Sequence, residues 1–212
     1  MDSRRGAALV AAAVSILVAG VAATAAAQEA SQASRFEVSL LGGIQALNKN
    51  DTALPDHFVD IPAVAAVALQ LNPLLAVEGD LSWMIPVQQK VDVGTGIKQD
   101  RKTPNILAYQ ASLRAGWPQA TWTPYLAAGA GAVTFLKNTD ADCLPQLDKS
   151  ETAFAINFGA GSSIALAPHW SVRADFRELA AFPSTSASGL STGGKADPIW
   201  MERVTLGLGY RM

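Results

Sequence analysis

The chain has 212 residues, of which half are hydrophobic and only 16% charged, with a formal net charge of −2. This composition excludes global disorder, and without a basic excess a nucleic-acid partner has no electrostatic support. A single cysteine, Cys143, permits no internal disulfide and no cysteine-based metal site, and the two histidines, His57 and His169, stand far apart in sequence.

Residues 1–27 read as an address. Arg4 and Arg5 precede an apolar run from about Ala7 to Val21, and Ala25-Ala26-Ala27 offers a small-residue cleavage site before Gln28. The run is short for a membrane anchor, so this segment is expected to be a cleaved signal peptide. Removal of 1–27 takes Asp2, Arg4 and Arg5 and leaves a net charge of −3. Residues 28–34 form a short lead, and 35–212 the main domain. No later run has the length of uninterrupted apolar sequence that a transmembrane helix needs.

From residue 35 onward the pattern has period two, the signature of β-strands. Eight strands are expected. The first, 35–47, sets Phe36, Val38, Leu40, Ile44 and Ala46 against Glu37, Ser39 and Gln45. The second covers 61–71. The third, 74–85, sets Leu75, Val77, Leu81 and Trp83 against Glu78, Asp80 and Ser82. The fourth, 105–116, sets Leu107, Tyr109, Ala111 and Leu113 against Gln110, Ser112 and Arg114. The fifth, 124–136, has no readable phase. The sixth, 152–166, carries Phe154, Ile156, Phe158, Ile164 and Leu166 on one face. The seventh, 170–181, sets Trp170, Val172, Ala174 and Phe176 against Ser171, Arg173, Asp175 and Arg177. The last, 199–212, sets Val204, Leu206, Leu208, Tyr210 and Met212 against Arg203, Thr205 and Arg211.

Long and short connections alternate. Segments 48–60, 86–104, 137–151 and 182–198 are long; 72–73, 117–123 and 167–169 are short. All long loops therefore fall at one end of an up-and-down sheet and all short turns at the other, the layout of a transmembrane barrel. An even strand number lets the sheet close and removes its edges. A soluble barrel with an apolar interior would show the same period. The membrane version is favoured by ionisable residues spread through the polar faces: Glu37, Glu78, Asp80, Arg114, Arg173, Asp175, Arg177 and Arg203. These four acids and four arginines are expected to form a charge ladder in the lumen. Aromatics near the strand ends also favour it. Phe36, Trp117, Trp122, Tyr125, Trp170 and Tyr210 gather toward the short turns, and Trp83, Phe135, Phe154, Phe182 and Trp200 toward the long loops, as interfacial belts. The chain also stops at the end of its last strand.

The segments TPYLAAGAGA (containing 124–132), FAINFGAGSSIALAPHWSVRADFREL (154–179) and the closing VTLGLGYRM resemble the small eight-stranded outer-membrane β-barrels of the OmpA/OmpX-like family. The resemblance covers 35–212. It implies an all-β, eight-stranded antiparallel transmembrane barrel in the Gram-negative outer membrane, without the peptidoglycan-binding domain of full-length OmpA proteins. It implies membrane lipids as surroundings and the barrel-assembly machinery as a partner, reached through the closing strand with Leu206, Leu208 and Tyr210. At the final position Met212 departs from the usual Phe or Trp.

Candidate chemistry is sparse. His169-Trp170-Ser171 has an H-x-S spacing, which in a strand puts both side chains on one side. Against catalysis, His169 falls in a short turn. Asp175, Glu78 and Asp80 are candidate acid/base carboxylates, but a narrow barrel has room for side chains and little else, so the ladder reading is preferred. Gly129-Ala130-Gly131 and Gly159-Ala160-Gly161 open no helix and fit strand bending rather than phosphate binding. Asp140, Asp142 and Asp148 share a loop without EF-hand spacing and read as an acidic surface. Cys143, in the same loop, is expected to be exposed, as a free thiol or an intermolecular link. No catalytic residue, cofactor or metal site is expected. The resulting expectation is a non-enzymatic barrel with a structural or interaction role, presenting its four long loops to an unknown surface ligand. The alternatives are a narrow pore for small solutes or ions, a lipid-modifying enzyme, and a soluble barrel carrying an apolar ligand.

Overall fold

The structure, a computed structural model, describes residues 36–48, 58–92, 98–184, 190 and 197–212. The signal-peptide and lead assignments (1–27 and 28–34) and parts of the long loops lie outside the described residues. Ten strands follow in chain order: β1 (Phe36–Asn48), β2 (Phe58–Gln70), β3 (Leu75–Pro86), β4 (Gln89–Asp92), β5 (Lys98–Arg101), β6 (Ile106–Gly116), β7 (Trp122–Phe135), β8 (Glu151–Ala165), β9 (Trp170–Phe182) and β10 (Ile199–Arg211). Eight of them close into a barrel of order β1-β10-β9-β8-β7-β6-β3-β2, every barrel pair antiparallel. The closing seam runs from Glu37↔Arg211 to Asn48↔Trp200.

The barrel strands are those expected, with ends displaced by a few residues. The remaining two, β4 and β5, form a hairpin inside the segment 86–104 that the sequence presents as loop. Each has four residues, too few for a period to register. The hairpin is anchored by Gln89, whose Nε2 donates to the Val59 carbonyl at 2.8 Å while its Oε1 accepts from Val59 N at 3.2 Å.

The short turns have local causes. Asn72 Oδ1 accepts from the backbone N–H of both Leu74 and Leu75 at 2.9 Å, an Asx turn that reverses the chain between β2 and β3. Between β6 and β7, Gln119 and Trp122 exchange backbone bonds at 2.8 Å. Between β8 and β9, Leu166 N donates to the Trp170 carbonyl at 2.8 Å across the Pro168 turn.

The two faces are sorted opposite to those of a soluble barrel. Leu40, Ile44, Leu81, Leu126, Val204 and Leu206 are exposed on the outer wall, Leu206 to 62%, while Glu78 and Arg177 are each 1% exposed inside. In lipid this arrangement buries the apolar face and pairs the polar one, and the closed ladder leaves no barrel-strand edge in the hydrocarbon.

The phase of the fifth barrel strand, β7, is now fixed. Tyr125, Ala127, Val133 and Phe135 point inward and Leu126 outward. Two members of the expected aromatic belts are thereby corrected. Tyr125 and Phe135, 3% and 2% exposed, lie in the interior. The reason is parity: an odd position in β7 faces the lumen whatever its side chain. Phe36, Trp83, Trp117, Trp122, Phe154, Trp170 and Phe182 remain on the outer wall. Gly161 sits directly across from Tyr125 in β8, and a Cβ there would overlap the Tyr125 ring. The glycine clears the floor on which that ring lies.

A charge placed on the outer wall tests which face meets lipid. Leu206→Arg is expected to destabilise the vesicle-embedded barrel by about 2–4 kcal/mol, the cost of an arginine near the bilayer midplane. Urea unfolding followed by tryptophan fluorescence measures it; an unchanged midpoint is incompatible with a lipid-facing Leu206.

Candidate functional site

The interior has two storeys. Toward the short turns it is filled by ion pairs, and their centre is Glu78 on β3. Arg173 on β9 grips it with both guanidinium nitrogens, Nη1 to Oε2 at 2.5 Å and Nη2 to Oε1 at 2.9 Å. Arg177 Nη2 reaches Oε1 at 2.6 Å and Arg114 Nη1, from β6, reaches Oε2 at 3.0 Å. In the ring order β3 and β9 are diametrically opposite, so the Glu78–Arg173 pair spans the full bore. Bidentate guanidinium–carboxylate geometry is the strongest form of this contact.

The other acids complete the cluster. Asp175 lies 3.0 Å from Arg173 Nη2 and 3.1 Å from Arg177 Nε, and accepts from the Tyr125 hydroxyl at 2.6 Å. Glu37 takes Arg114 at 3.2 Å and Arg211 at 3.0 Å. Asp80 lies 3.5 Å from Arg203, whose Nη1 also donates to Ser82. All eight residues that the sequence places in the lumen are buried there, and each has an oppositely charged neighbour within salt-bridge reach.

Neutral partners also join the cluster. Tyr125 lies between two guanidinium groups, those of Arg114 and Arg173, each 5.1 Å from its ring centre, and its hydroxyl accepts from Arg173 Nε at 2.7 Å. Ser112 and Asn157 each accept from Arg177 Nη1 at 3.2 Å, and Asn157 Nδ2 donates to Gln110 at 2.9 Å. The sequence gives no sign of the Tyr125 role, because β7 is a run of alanine and glycine on both faces. In the sequence Ser112 and Gln110 are legible only as polar-face positions.

Toward the long loops the lumen changes character. Leu47, Phe58, Met84, Ile106, Val133, Phe135, Leu179, Ile199 and Met201 form an apolar cluster, closed from above by Leu147 and Leu190. The charged residues therefore fill only one part of the bore. Inward positions at the loop ends of the strands are apolar because loop residues fold back to cover them. Loop 136–150 is tied down at Lys102: Lys102 N donates to Asp142 O and Leu144 N to Lys102 O, both at 2.9 Å. Lys102 Nζ reaches Asp140 at 2.9 Å and Asp142 at 3.3 Å. Those bonds raise the Lys102 pKa. Asp148 is exposed.

Cys143, expected at the surface, is buried. The bridge with Lys102 turns its side chain under the loop, and its Sγ lies 3.5 Å from the Pro145 carbonyl. Burial pushes its thiol up to about 11. His169 and Ser171 are not brought together. His169 lies outside, its Nδ1 3.0 Å from the Arg211 carbonyl and its ring 5.8 Å from that of Tyr210, whereas Ser171 is buried in the lumen.

A closed eight-stranded barrel, apolar outside and plugged by ion pairs inside, is a transmembrane β-barrel of the outer-membrane type. The chain matches the family model described as outer membrane protein beta-barrel domain over residues 13–211 and belongs to that family. No curated protein matches it. Among solved structures it is similar to Neisserial surface protein A (NspA), with 14% identity, TM-score 0.56, and coverage of 86% of this chain and 100% of that one. Ail, the attachment invasion locus protein of Yersinia pestis, has 15% identity, TM-score 0.49, and coverage of 84% and 99%. The N-terminal barrel domain of Pseudomonas aeruginosa OprF has 15% identity, TM-score 0.45, and coverage of 85% and 100%. At these identities the likeness concerns the fold.

Two measurements probe the interior. Glu78→Ala removes the acceptor that three buried guanidinium groups share, leaving Arg173 and Arg177 to Asp175 and Arg114 to Glu37, and is expected to cost about 3–5 kcal/mol, the usual penalty for removing one partner of a buried pair, read as a lowered urea midpoint in detergent or vesicles. A variant as stable as the parent contradicts the central role of Glu78. For Cys143, maleimide labelling of the folded barrel at neutral pH should be slow and should rise with pH toward 11, whereas the unfolded chain labels at once.

Proposed function

We propose that this outer-membrane barrel is a sealed scaffold: it reinforces the envelope and displays its long loops to a surface partner, and it neither conducts nor catalyses. The observation that carries this reading is the Glu78–Arg173 bridge across the diameter of the bore. A path for solute along the axis would have to break a bidentate buried ion pair together with the Arg114 and Arg177 contacts to the same carboxylate. Above it the apolar storey offers water and ions few polar partners.

Short turns face the periplasm and longer loops the exterior in barrels of this type, so the loop segments 48–60, 86–104, 137–151 and 182–198 are the displayed surface. Rigid scaffolds concentrate recognition in such loops. The hairpin of β4 and β5 and the Lys102 clamp give two of them defined shape. The non-catalytic reading is supported by the separation of His169 from Ser171 across the wall. The closing strand, with Leu206, Leu208 and Tyr210 on its outer face, is the segment we assign to the barrel-assembly machinery.

Planar-bilayer recording tests the sealed bore. The purified barrel is expected to give no stable conductance steps in potassium chloride. Regular ohmic openings from the unmodified chain favour the pore reading instead.

A further inference from the structure

Loop 136–150 and the base of the β4–β5 hairpin meet at one place. Asn138 and Leu147 exchange backbone bonds at 3.0 and 2.7 Å, which closes residues 139–146 into a tip. Among the described residues, the polar ties from this tip to parts of the chain outside the loop go to Gln88, Arg101 and Lys102. Lys102 N donates to Asp142 O and Leu144 N to Lys102 O, both at 2.9 Å. Arg101 Nη1 donates to the Ala141 carbonyl at 2.5 Å, and Gln88 Nε2 to Asp142 Oδ2 at 3.3 Å. Lys102 Nζ adds ion pairs to Asp140 at 2.9 Å and Asp142 at 3.3 Å.

Charge is the solvent-accessible part of this contact. The side chains of Lys102, Asp140 and Asp142 are 26%, 60% and 33% exposed, so mobile ions reach them and screen their attraction. What lies beneath is shielded. Cys143 is fully buried under the tip, and Leu144 and Pro145 face the apolar storey beside Phe58 and Ile106. Leu147, at the base of the tip, is buried in that storey. The base is therefore fixed by packing, and the tip by a few bonds to one neighbouring segment. Local opening is drawn from arrangements of this kind.

We propose that Lys102 is an ionic latch. Paired with Asp140 and Asp142, it holds the tip over Cys143 and joins loop 136–150 to the hairpin as one surface. When salt screens the pairs, the tip lifts about its base at Asn138 and Leu147, and the two loops part. The outer end of the barrel thus presents two surfaces, selected by the ionic strength outside the cell. The backbone bonds at Lys102 help close the latch but do not select between its states, because screening acts on charges. The switch concerns the loops alone and stands whether or not the bore conducts.

Cys143 reports on the tip without being part of the latch. The test is the rate of N-ethylmaleimide labelling of the folded barrel in vesicles, relative to the urea-unfolded chain at the same salt. Between about 10 mM and about 1 M sodium chloride the Debye length falls from about 30 to about 3 Å, and the relative rate is expected to rise several-fold. Lys102→Gln is expected to label several-fold faster than the parent at low salt and to lose most of the salt dependence. The direction separates the latch from a direct effect on the thiol. Burial raises the Cys143 pKa and the Lys102 charge lowers it, so through the thiol alone Lys102→Gln labels more slowly. A salt-independent parent overturns the proposal, as does Lys102→Gln labelling at or below the parental rate. Where Lys102→Gln fails a heat-modifiability gel, the salt dependence of the parent decides.

Discussion

The structure depends on the requirement that every backbone N–H and C=O crossing the hydrocarbon be paired within the protein. For strands, the solution is closure, and here the seam between β1 and β10 accomplishes it along the whole of β1 from Glu37 to Asn48. Closure with eight strands fixes a narrow bore. A narrow bore between polar inner faces must be filled by side chains that satisfy one another. The composition of the lumen follows from the closure of the wall, and the four acids and four arginines are the filling.

Ion pairs of this kind are not obviously stabilising, because each charge loses its water before gaining a partner. What makes the cluster workable is multiplicity. Glu78 receives three arginines, and Asp175 receives two arginines and a phenol. Few lone pairs are left over, and each guanidinium spreads its donors over two or more acceptors. Tyr125 adds an aromatic face between Arg114 and Arg173 and a hydroxyl that both accepts and donates. Its position depends on Gly161, since any side chain there would occupy the space of the ring. A glycine on β8 thus sets the electrostatics of residues on β6, β7 and β9.

The loop end solves the filling problem differently. There the inward residues are apolar, and loop 136–150, held by Lys102, brings Leu147 over them. A miniature core sits on top of an ionic plug, both inside one wall. Satisfaction is incomplete at several buried atoms, among them Asp60 Oδ2 and Gln45 Oε1 near the junction of the two. On the outer wall one pair runs against the apolar rule. Glu178 and Glu202 face each other across β9 and β10, near the loop ends of both strands, where the polar interface lies close.

The strand pattern, the eight crossings, the alternation of loops and the inward placement of the eight charged residues were legible in the sequence, because period two is imposed by the backbone itself and survives whatever the strand packs against. The Asx turn at Asn72 is equally local. Other features were not legible, each for a physical reason. The phase of β7 is hidden because its two faces are both built from small residues. Phe135 and Tyr125 read as belt aromatics, since an aromatic near a strand end suits either face until its parity is fixed. The apolar storey is invisible because Met84, Ile106 and Leu179 face a core shared among strands remote in the chain and capped by Leu147 and Leu190 from the loops. Cys143 reads as exposed because a polar loop gives no sign of folding back. The sequence by itself determined which segments form the wall and which side of it the charged residues take. Only the tertiary structure decided what those side chains meet across the bore, because those contacts join strands that are opposite in the ring and remote in the chain.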